Sequence, residues 1–185
     1  MADHRFYAAT YDAALGAAER AGLADRRRHL LARARGRVLE VGAGTGLNLD
    51  HYPAGVDRLE LVEPDGAMRA KLARRVARRS RPVAVEVHGF TLADAPLPLA
   101  SFDTVVATLV LCTVPDLPAT LDHIAELLAP DGKLLFLEHG RAPGLRGRMQ
   151  AVATPAWRRL AAGCHLDRDV PAALRQAGFV ISDIE

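Results

Sequence analysis

The sequence predicts an α/β fold: a doubly wound, mostly parallel sheet with helices on both faces. Three observations predict it. Short apolar, β-branched runs recur at Val38–Val41, Leu59–Val62, Val83–Val87, Ser101–Ala107 and Leu134–Leu137. Segments of helical periodicity alternate with them, as in a parallel sheet closed by crossover connections. The runs are apolar almost throughout rather than alternating, as in strands covered on both faces.

A length of 185 residues suits a single domain, 1–185, with its own core. Half of the chain is hydrophobic and a quarter charged, with a net charge of +2, so no strong pull on nucleic acid or membranes is expected. Cys112 and Cys164 make neither a disulfide framework nor a zinc spacing, and no metal is expected. They suit a reducing, cytoplasmic compartment. The start, Met1-Ala2-Asp3-His4-Arg5, is polar and not a secretory signal, and no apolar run approaches the ~20 residues that span a bilayer.

Residues 6–35 read as two helices broken at Ala21-Gly22-Leu23. Tyr11, Leu15 and Ala18 share a face of the first. Phe6, Tyr7 and Tyr11 either pack that helix onto the sheet or close over a ligand. Asp25 is placed to cap the second helix, with Leu30 and Leu31 inward and Arg26, Arg27 and Arg33 largely outward. The first strand then runs into Gly42-Ala43-Gly44-Thr45-Gly46, with a helix expected from near Thr45. Glycines there permit a sharp turn and close approach of a ligand. The dinucleotide fingerprint requires glycine where Leu47 stands, so the pattern is E-x-G-x-G-x-G and a nicotinamide-dependent reductase is disfavoured.

The second strand ends in Glu63-Pro64-Asp65, with Glu63 placed to accept from both hydroxyls of a ribose and Asp65 to cap the next helix, roughly 66–79. That helix buries Met68, Leu72 and Val76. Its arginines, Arg69, Arg74, Arg75, Arg78 and Arg79, read as a solvated face, since no aromatic residues interleave them for base stacking. After the third strand, 88–100 is a loop. The fourth strand continues into Thr108-Leu109-Val110-Leu111-Cys112-Thr113-Val114. Asp116 caps a helix that sets Leu117, Leu121, Ile124 and Leu128 inward and stops at Pro130. An Asp131-Gly132-Lys133 turn enters the fifth strand, which ends at Glu138-His139. In 141–166, Leu145, Met149, Val152, Trp157 and Leu160 recur at near-helical spacing between arginines, which fits core packing or an amphipathic helix at a membrane surface. Phe179-Val180-Ile181 reads as a sixth strand. Ligands of such sheets sit beyond the strands' carboxyl ends, here Gly42, Glu63, Gly89, Thr108 and Glu138-His139.

From Arg37 to about Asp183 these segments together resemble the class I S-adenosylmethionine (SAM) methyltransferases, through Leu39–Gly46, Val62-Glu63-Pro64, Pro96–Val106 and Leu127–Leu137. Thr108–Cys112, Glu138-His139, Pro155-Ala156-Trp157 and Gly163–Leu166 narrow the resemblance to the small-molecule thiol methyltransferases of the methyltransferase-like 7 type. The resemblance implies a Rossmann-like sheet, SAM as cofactor and S-adenosylhomocysteine as product. Residues 1–35 would form a helical lid, 36–140 the cofactor core and 141–185 an acceptor-pocket segment. Glu40, Gly42, Gly44 and Gly46 would hold the amino-acid end of the cofactor and Glu63-Pro64 its ribose. Thr91, Leu92, Thr108 and Leu109 would complete its site. The family usually carries an acidic residue near Thr91, so the adenine contact departs from the pattern, with Asp94 as a substitute.

The same resemblance implies a small, partly apolar acceptor, a thiol first, with phospholipid amines or quinones as alternatives. A SAM-binding scaffold without catalysis is the alternative of another class. Nucleic acid is not an expected partner, since Thr108–Val114 stands where many base-methylating enzymes place an Asn/Asp-Pro-Pro-aromatic motif. A proton from the acceptor would go to His139, or to His165 oriented by Asp167. The family's seventh strand, inserted between the fifth and sixth, has no counterpart in these residues, and neither does the apolar amino-terminal segment of the animal relatives. An uncovered sheet edge invites a homodimer or a loosely held carboxyl terminus.

Overall fold

The computed structural model describes residues 5–79 and 83–184, and for Arg5, Phe6 and Tyr7 the backbone alone. The polar stretch Met1–His4 and the side chains of Phe6 and Tyr7 lie outside what is described. The chain divides into two compact units: Met1–Ala107 with Leu127–Leu137, and Thr108–Glu126 with Glu138–Glu185.

The first unit carries α1 (Arg5–Ala18), α2 (Ala24–Leu31), β1 (Gly36–Val41), β2 (Val56–Val62), α3 (Gly66–Ala77), β3 (Ala84–His88), most of β4 (Phe102–Thr108), and, beyond the helix α4 (Leu117–Leu127), β5 (Leu128–Leu137). The sheet order is β3-β2-β1-β4-β5. β1 pairs parallel with β2, from Val38↔Leu59 to Val41↔Val62, and with β4, from Val38↔Thr104 to Val41↔Ala107. β2 pairs parallel with β3. The chain winds outward from β1 through β2 to β3 and restarts on the other side at β4. The switch point that creates a ligand crevice in such sheets therefore lies between β1 and β4. Val38, Leu39, Glu40 and Val41 are all buried, as befits a central strand. Leu31, Leu49, Tyr52, Leu59, Leu72 and Val106 form the heart of the core.

The break between the first helices falls where expected: Gly22 takes φ 118° within a π-helical turn, Glu19–Leu23. Asp25 does not cap α2. The preceding residue, Leu23, keeps helical dihedrals, and Asp25 instead pairs with Arg28 at 2.9 Å on the surface. Arg27 does not face outward; it is 3 % exposed, with partners described below. No α-helix follows the glycine turn. A short 3₁₀ turn, Leu49–His51, takes its place, because Pro53 ends the segment before an α-helix gains a second turn. Asp65 caps α3 as expected, accepting from the amides of Ala67 (2.9 Å) and Met68 (2.8 Å).

β5 begins before the Pro-Asp-Gly turn, not after it. A Cβ on Gly132 would lie 2.7 Å from the Phe102 carbonyl oxygen and 2.9 Å from that of Ala129, so the bare backbone lets the strand press in there. Pro130 is tolerated because β5 borders the described sheet.

The second unit carries α4, stopped at Leu127, then α5 (Gly144–Leu160) and α6 (Val170–Gln176). Asp116 caps α4 through the Ala119 amide at 3.0 Å. Leu145, Met149, Val152, Trp157 and Leu160 of α5 are exposed, Val152 by 83 %, so they are not core. Phe179–Ile181 forms no strand, since a strand needs a hydrogen-bonded neighbour and none pairs with it among the described residues. No described helix is long and apolar enough to cross a membrane.

Candidate functional site

Two polar clusters stand out, one in each unit. The first hangs from the carboxyl ends of β1 and β2. Gly42, Gly44 and Gly46 all adopt left-handed backbone, with φ of 65°, 56° and 86°. Their needs differ. A Cβ on Gly46 would meet Leu72 Cδ1 at 2.7 Å and Leu49 Cδ1 at 2.8 Å, so this glycine seats the turn on α3. A Cβ on Gly44 would enter open space.

Glu63 is buried at the end of β2 and ties the two strand ends together. Its Oε2 accepts from the Gly44 amide at 2.7 Å and its Oε1 from the Asp65 amide at 2.8 Å. A carboxylate offers about four lone-pair directions. These amides use two, which leaves capacity for a vicinal diol. Burial raises the Glu63 pKa against the pull of both amides. The Glu63 amide donates to the His88 carbonyl at 3.0 Å, and Arg69 Nη1 donates to the carbonyls of Glu63 (2.8 Å) and Pro64 (3.0 Å). Arg69 thus braces the strand ends rather than joining a solvated face. Its guanidinium covers Gly89, where a Cβ would meet Cζ at 2.9 Å. In the loop beyond, Thr91 is exposed and donates to Asp94 Oδ2 at 2.6 Å, while Leu92 is buried.

Glu40 lies deeper, 1 % exposed. Its Oε1 accepts from Asn48 Nδ2 at 2.9 Å and its Oε2 from the Tyr52 hydroxyl at 2.7 Å. Asn48 Oδ1 accepts from Arg27 Nη1 at 2.9 Å, and Arg27 Nε donates to Glu19 Oε1 at 3.0 Å. Burial pushes the Glu40 pKa up to about 7, opposed by these hydrogen bonds and by Arg27. Burial and Glu40 together raise the Tyr52 phenol well above its ordinary value. The helices join the turn again through Asp12: Thr45 Oγ1 donates to its Oδ1 at 2.6 Å, and Arg75 Nη2 pairs with its Oδ2 at 2.9 Å. Sequence reasoning did not single out Arg27, Asn48, Tyr52 or Asp12 for this site. The available signal was Asn48 set between Leu47 and Leu49, a polar residue in an apolar stretch near a carboxylate that had to be buried.

The remaining expected residues belong to the second unit. Thr108 is buried and Leu109 turns the chain with φ 54°. Glu138 Oε1 accepts from the amides of Val110 (2.7 Å) and Leu111 (2.6 Å). This brings the Cys112 segment to Glu138, and Cys164 Sγ lies 3.7 Å from Cys112 Sγ and 3.0 Å from His139 Nε2. The His165 amide donates to the Cys112 carbonyl at 2.9 Å and Arg168 Nη1 to the Leu111 carbonyl at 2.6 Å. Burial lowers the His139 pKa and raises those of Glu138 and Cys112. His165 Nδ1 stands 4.0 Å from Asp167 Oδ1, an ion-pair distance rather than a hydrogen bond, and Asp167 Oδ1 also accepts from Thr154 Oγ1 at 3.2 Å.

A family model described as a methyltransferase domain matches residues 16–183. The chain is 34 % identical over 146 residues to thiol S-methyltransferase TMT1B of Rattus norvegicus, an alignment covering 77 % of this chain and 59 % of that protein. The chain thus spans about 59 % of the length of the first curated relatives it matches. Among solved structures, a putative methyltransferase from Bacillus halodurans superposes with a TM-score of 0.72 at 14 % identity, covering 85 % of this chain and 69 % of that one. That likeness speaks for the fold. A DhpI–SAH complex superposes with a TM-score of 0.57 at 27 % identity, covering 74 % of this chain and 65 % of that one.

Proposed function

The chain belongs to the methyltransferase domain family, and from that premise we propose that it transfers a methyl group from S-adenosylmethionine to a small, partly apolar acceptor, a thiol. One observation carries the cofactor reading: Glu63 and Gly44, ends of adjacent strands, meet at 2.7 Å and leave carboxylate capacity beside a glycine that faces open space. A backbone without a Cβ admits a ligand against the turn, and a carboxylate with spare lone pairs holds the two hydroxyls of a ribose. Residues 42–46 and Glu63-Pro64 would hold the amino-acid and ribose portions, with Thr91 and Leu92 on the adenine side. Thr108 and Leu109 stay assigned to the cofactor in this proposal. Glu40 would act from beneath the turn, fixing its shape through Asn48 and Tyr52, and α1, pinned by Asp12 to Thr45, would act as the lid.

When bound, the cofactor would supply an electrophilic methyl group on a positively charged sulfur, with that sulfur leaving as a neutral thioether. The protein's task is then chiefly positioning, which supplies several kcal/mol. A thiol of pKa about 8.5 is only partly ionised at neutral pH, and His139, or His165 oriented by Asp167, would take the remaining proton. The thiol reading rests on the likeness to the thiol S-methyltransferases. The exposed apolar side chains of α5 support a partly apolar acceptor and weak contact with membrane surfaces. The β5 edge supports self-association, read by light-scattering mass.

Calorimetry with S-adenosylmethionine and S-adenosylhomocysteine, followed by a radiolabelled methyl assay across thiols, phospholipid amines and quinones, tests the proposal. Binding with transfer to thiols supports it. Transfer to amines or quinones alone replaces the acceptor, binding without transfer supports the scaffold reading, and absence of binding removes the cofactor assignment.

A further inference from the structure

Cys112 and Cys164 are separated by 52 residues, and His139 lies between them on a third segment, so no spacing motif announces their meeting. In the second unit the three come together: the two cysteine sulfurs and a ring nitrogen of His139 lie within 4.8 Å of one another, and His139 Nε2 touches Cys164 Sγ. We propose that these residues form a three-ligand site for a thiophilic divalent cation of the zinc type, with one coordination position left for an exchangeable ligand.

The spacing of the sulfurs supports this. A tetrahedral zinc ion with zinc–sulfur bonds of about 2.3 Å sets its two thiolates about 3.8 Å apart. The observed separation is 3.7 Å. A zinc–nitrogen bond of about 2.0–2.1 Å puts an imidazole nitrogen about 3.5 Å from each sulfur. His139 Nε2 now touches Cys164 Sγ at 3.0 Å, so the triangle opens by about half an ångström on that side.

The ligands are also held from outside. The Glu138 carboxylate grips the amides of Val110 and Leu111 and so fixes the segment that carries Cys112. The His165 amide ties the Cys164 turn to the Cys112 carbonyl. Gly163, φ 89°, and Ala162, φ 48°, turn the chain sharply just before Cys164. Such outer contacts orient ligands and are a recurrent part of metal sites. Two buried polar atoms beside the sulfurs, Glu138 Oε2 and His139 Nδ1, have no hydrogen-bond partner. Buried polar atoms are ordinarily satisfied, and a water held at the open coordination position is a donor of the kind Glu138 Oε2 lacks, whereas His139 Nδ1 faces away from a cation bound at Nε2.

Soft sulfur ligands with an imidazole select zinc-like ions over calcium or magnesium, which demand oxygen. Coordination replaces the two thiol protons, which leave to solvent, while His139 binds as the neutral ring. The site shares His139 with the acceptor assignment above, but cation binding is read without any methyl transfer. Oxidation to a disulfide fits less well: the sulfurs would have to close to about 2.05 Å, and Cys112 is 2 % exposed, beyond easy reach of an oxidant.

The test is cobalt(II) titration of the full chain, reduced and kept anaerobic. The expected result is one equivalent bound, with a thiolate-to-cobalt charge-transfer band and intense tetrahedral d–d bands, both discharged by zinc. Cys112→Ser and Cys164→Ser should each weaken binding more than about tenfold and diminish the charge-transfer band. His139→Ala should weaken binding while keeping that band, and His123→Ala should change nothing. Circular dichroism melts identify any variant that fails to fold, and the wild-type titration stands without them. No band at one equivalent, a band of undiminished intensity in Cys112→Ser, or an intact mass two hydrogens lighter before reduction overturns the proposal.

Discussion

The Tyr52 hydroxyl donates to Glu40 Oε2 at 2.7 Å inside the core, with both side chains essentially fully buried. The pair lies beneath the glycine turn, and its partners reach α2 through Asn48 and Arg27. A carboxylate in that place is costly when ionised.

Its titration therefore has a definite sign. Glu40 has its pKa raised from 4.5 to about 7, so the native state holds a proton that the unfolded chain has lost between those values. Stability falls as pH rises through that window, by roughly 3 kcal/mol at most. Glu40→Gln, which can accept from Asn48 and donate to Tyr52, should show a flatter stability profile from pH 5 to 8 than the wild type. Urea unfolding at several pH values measures it; parallel profiles would refute it.

Glu63→Gln keeps the size of the side chain but turns one acceptor into a donor that faces the Gly44 amide. Hydrogen bonds to charged groups contribute about 1.5–3 kcal/mol, so affinity for S-adenosylhomocysteine should drop by about one to two orders of magnitude. Calorimetry reads the change, and an unchanged affinity would remove Glu63 from the cofactor site.

Two glycines two residues apart should separate folding from binding. Gly46→Ala sets a methyl 2.7 Å from Leu72 Cδ1 at φ 86°, and should lower stability by about 1–3 kcal/mol. Gly44→Ala points a methyl into open space at φ 56°, so its stability cost should be nearer 1 kcal/mol while cofactor affinity falls strongly. Thermal melts and calorimetry on the two variants give the comparison. Equal losses of stability would refute it.

Asp12→Ala removes the link from α1 to Thr45 and Arg75. The charges are partly exposed, so the loss of stability should stay within about 1 kcal/mol. Limited proteolysis near residues 5–18 should nevertheless accelerate several-fold in the variant, and cofactor should protect it less. An unchanged cleavage pattern would take α1 out of the lid role.

The sheet was legible because buried parallel strands are written as apolar runs, and Glu63 because an acid at a strand end breaks such a run. Asp65 was legible as a cap because its side chain acts on amides two and three residues away. Arg27, Asn48 and Tyr52 were not, since nothing local distinguishes an arginine that meets a buried amide from one that meets water. The helix expected after Thr45 does not form because Pro53 stops the segment after one short turn, a local signal that the glycine pattern does not carry. The edge strand β5 began early because Gly132 lets two backbones touch, a tertiary fact invisible in the Pro-Asp-Gly motif. The cysteine–histidine cluster escaped for the same reason, its members lying on three distant segments.

The pairing of Val41 with Val62 puts Gly44 and Glu63 on neighbouring strand ends, so their meeting depends on alignment along the whole β1–β2 ladder. A slip of two residues would keep every side chain on its proper face, leave the interior equally greasy, and yet carry the carboxylate about 6.6 Å out of reach. Nucleoside uptake by this chain is therefore also a gauge of whether a given molecule has threaded its strands correctly.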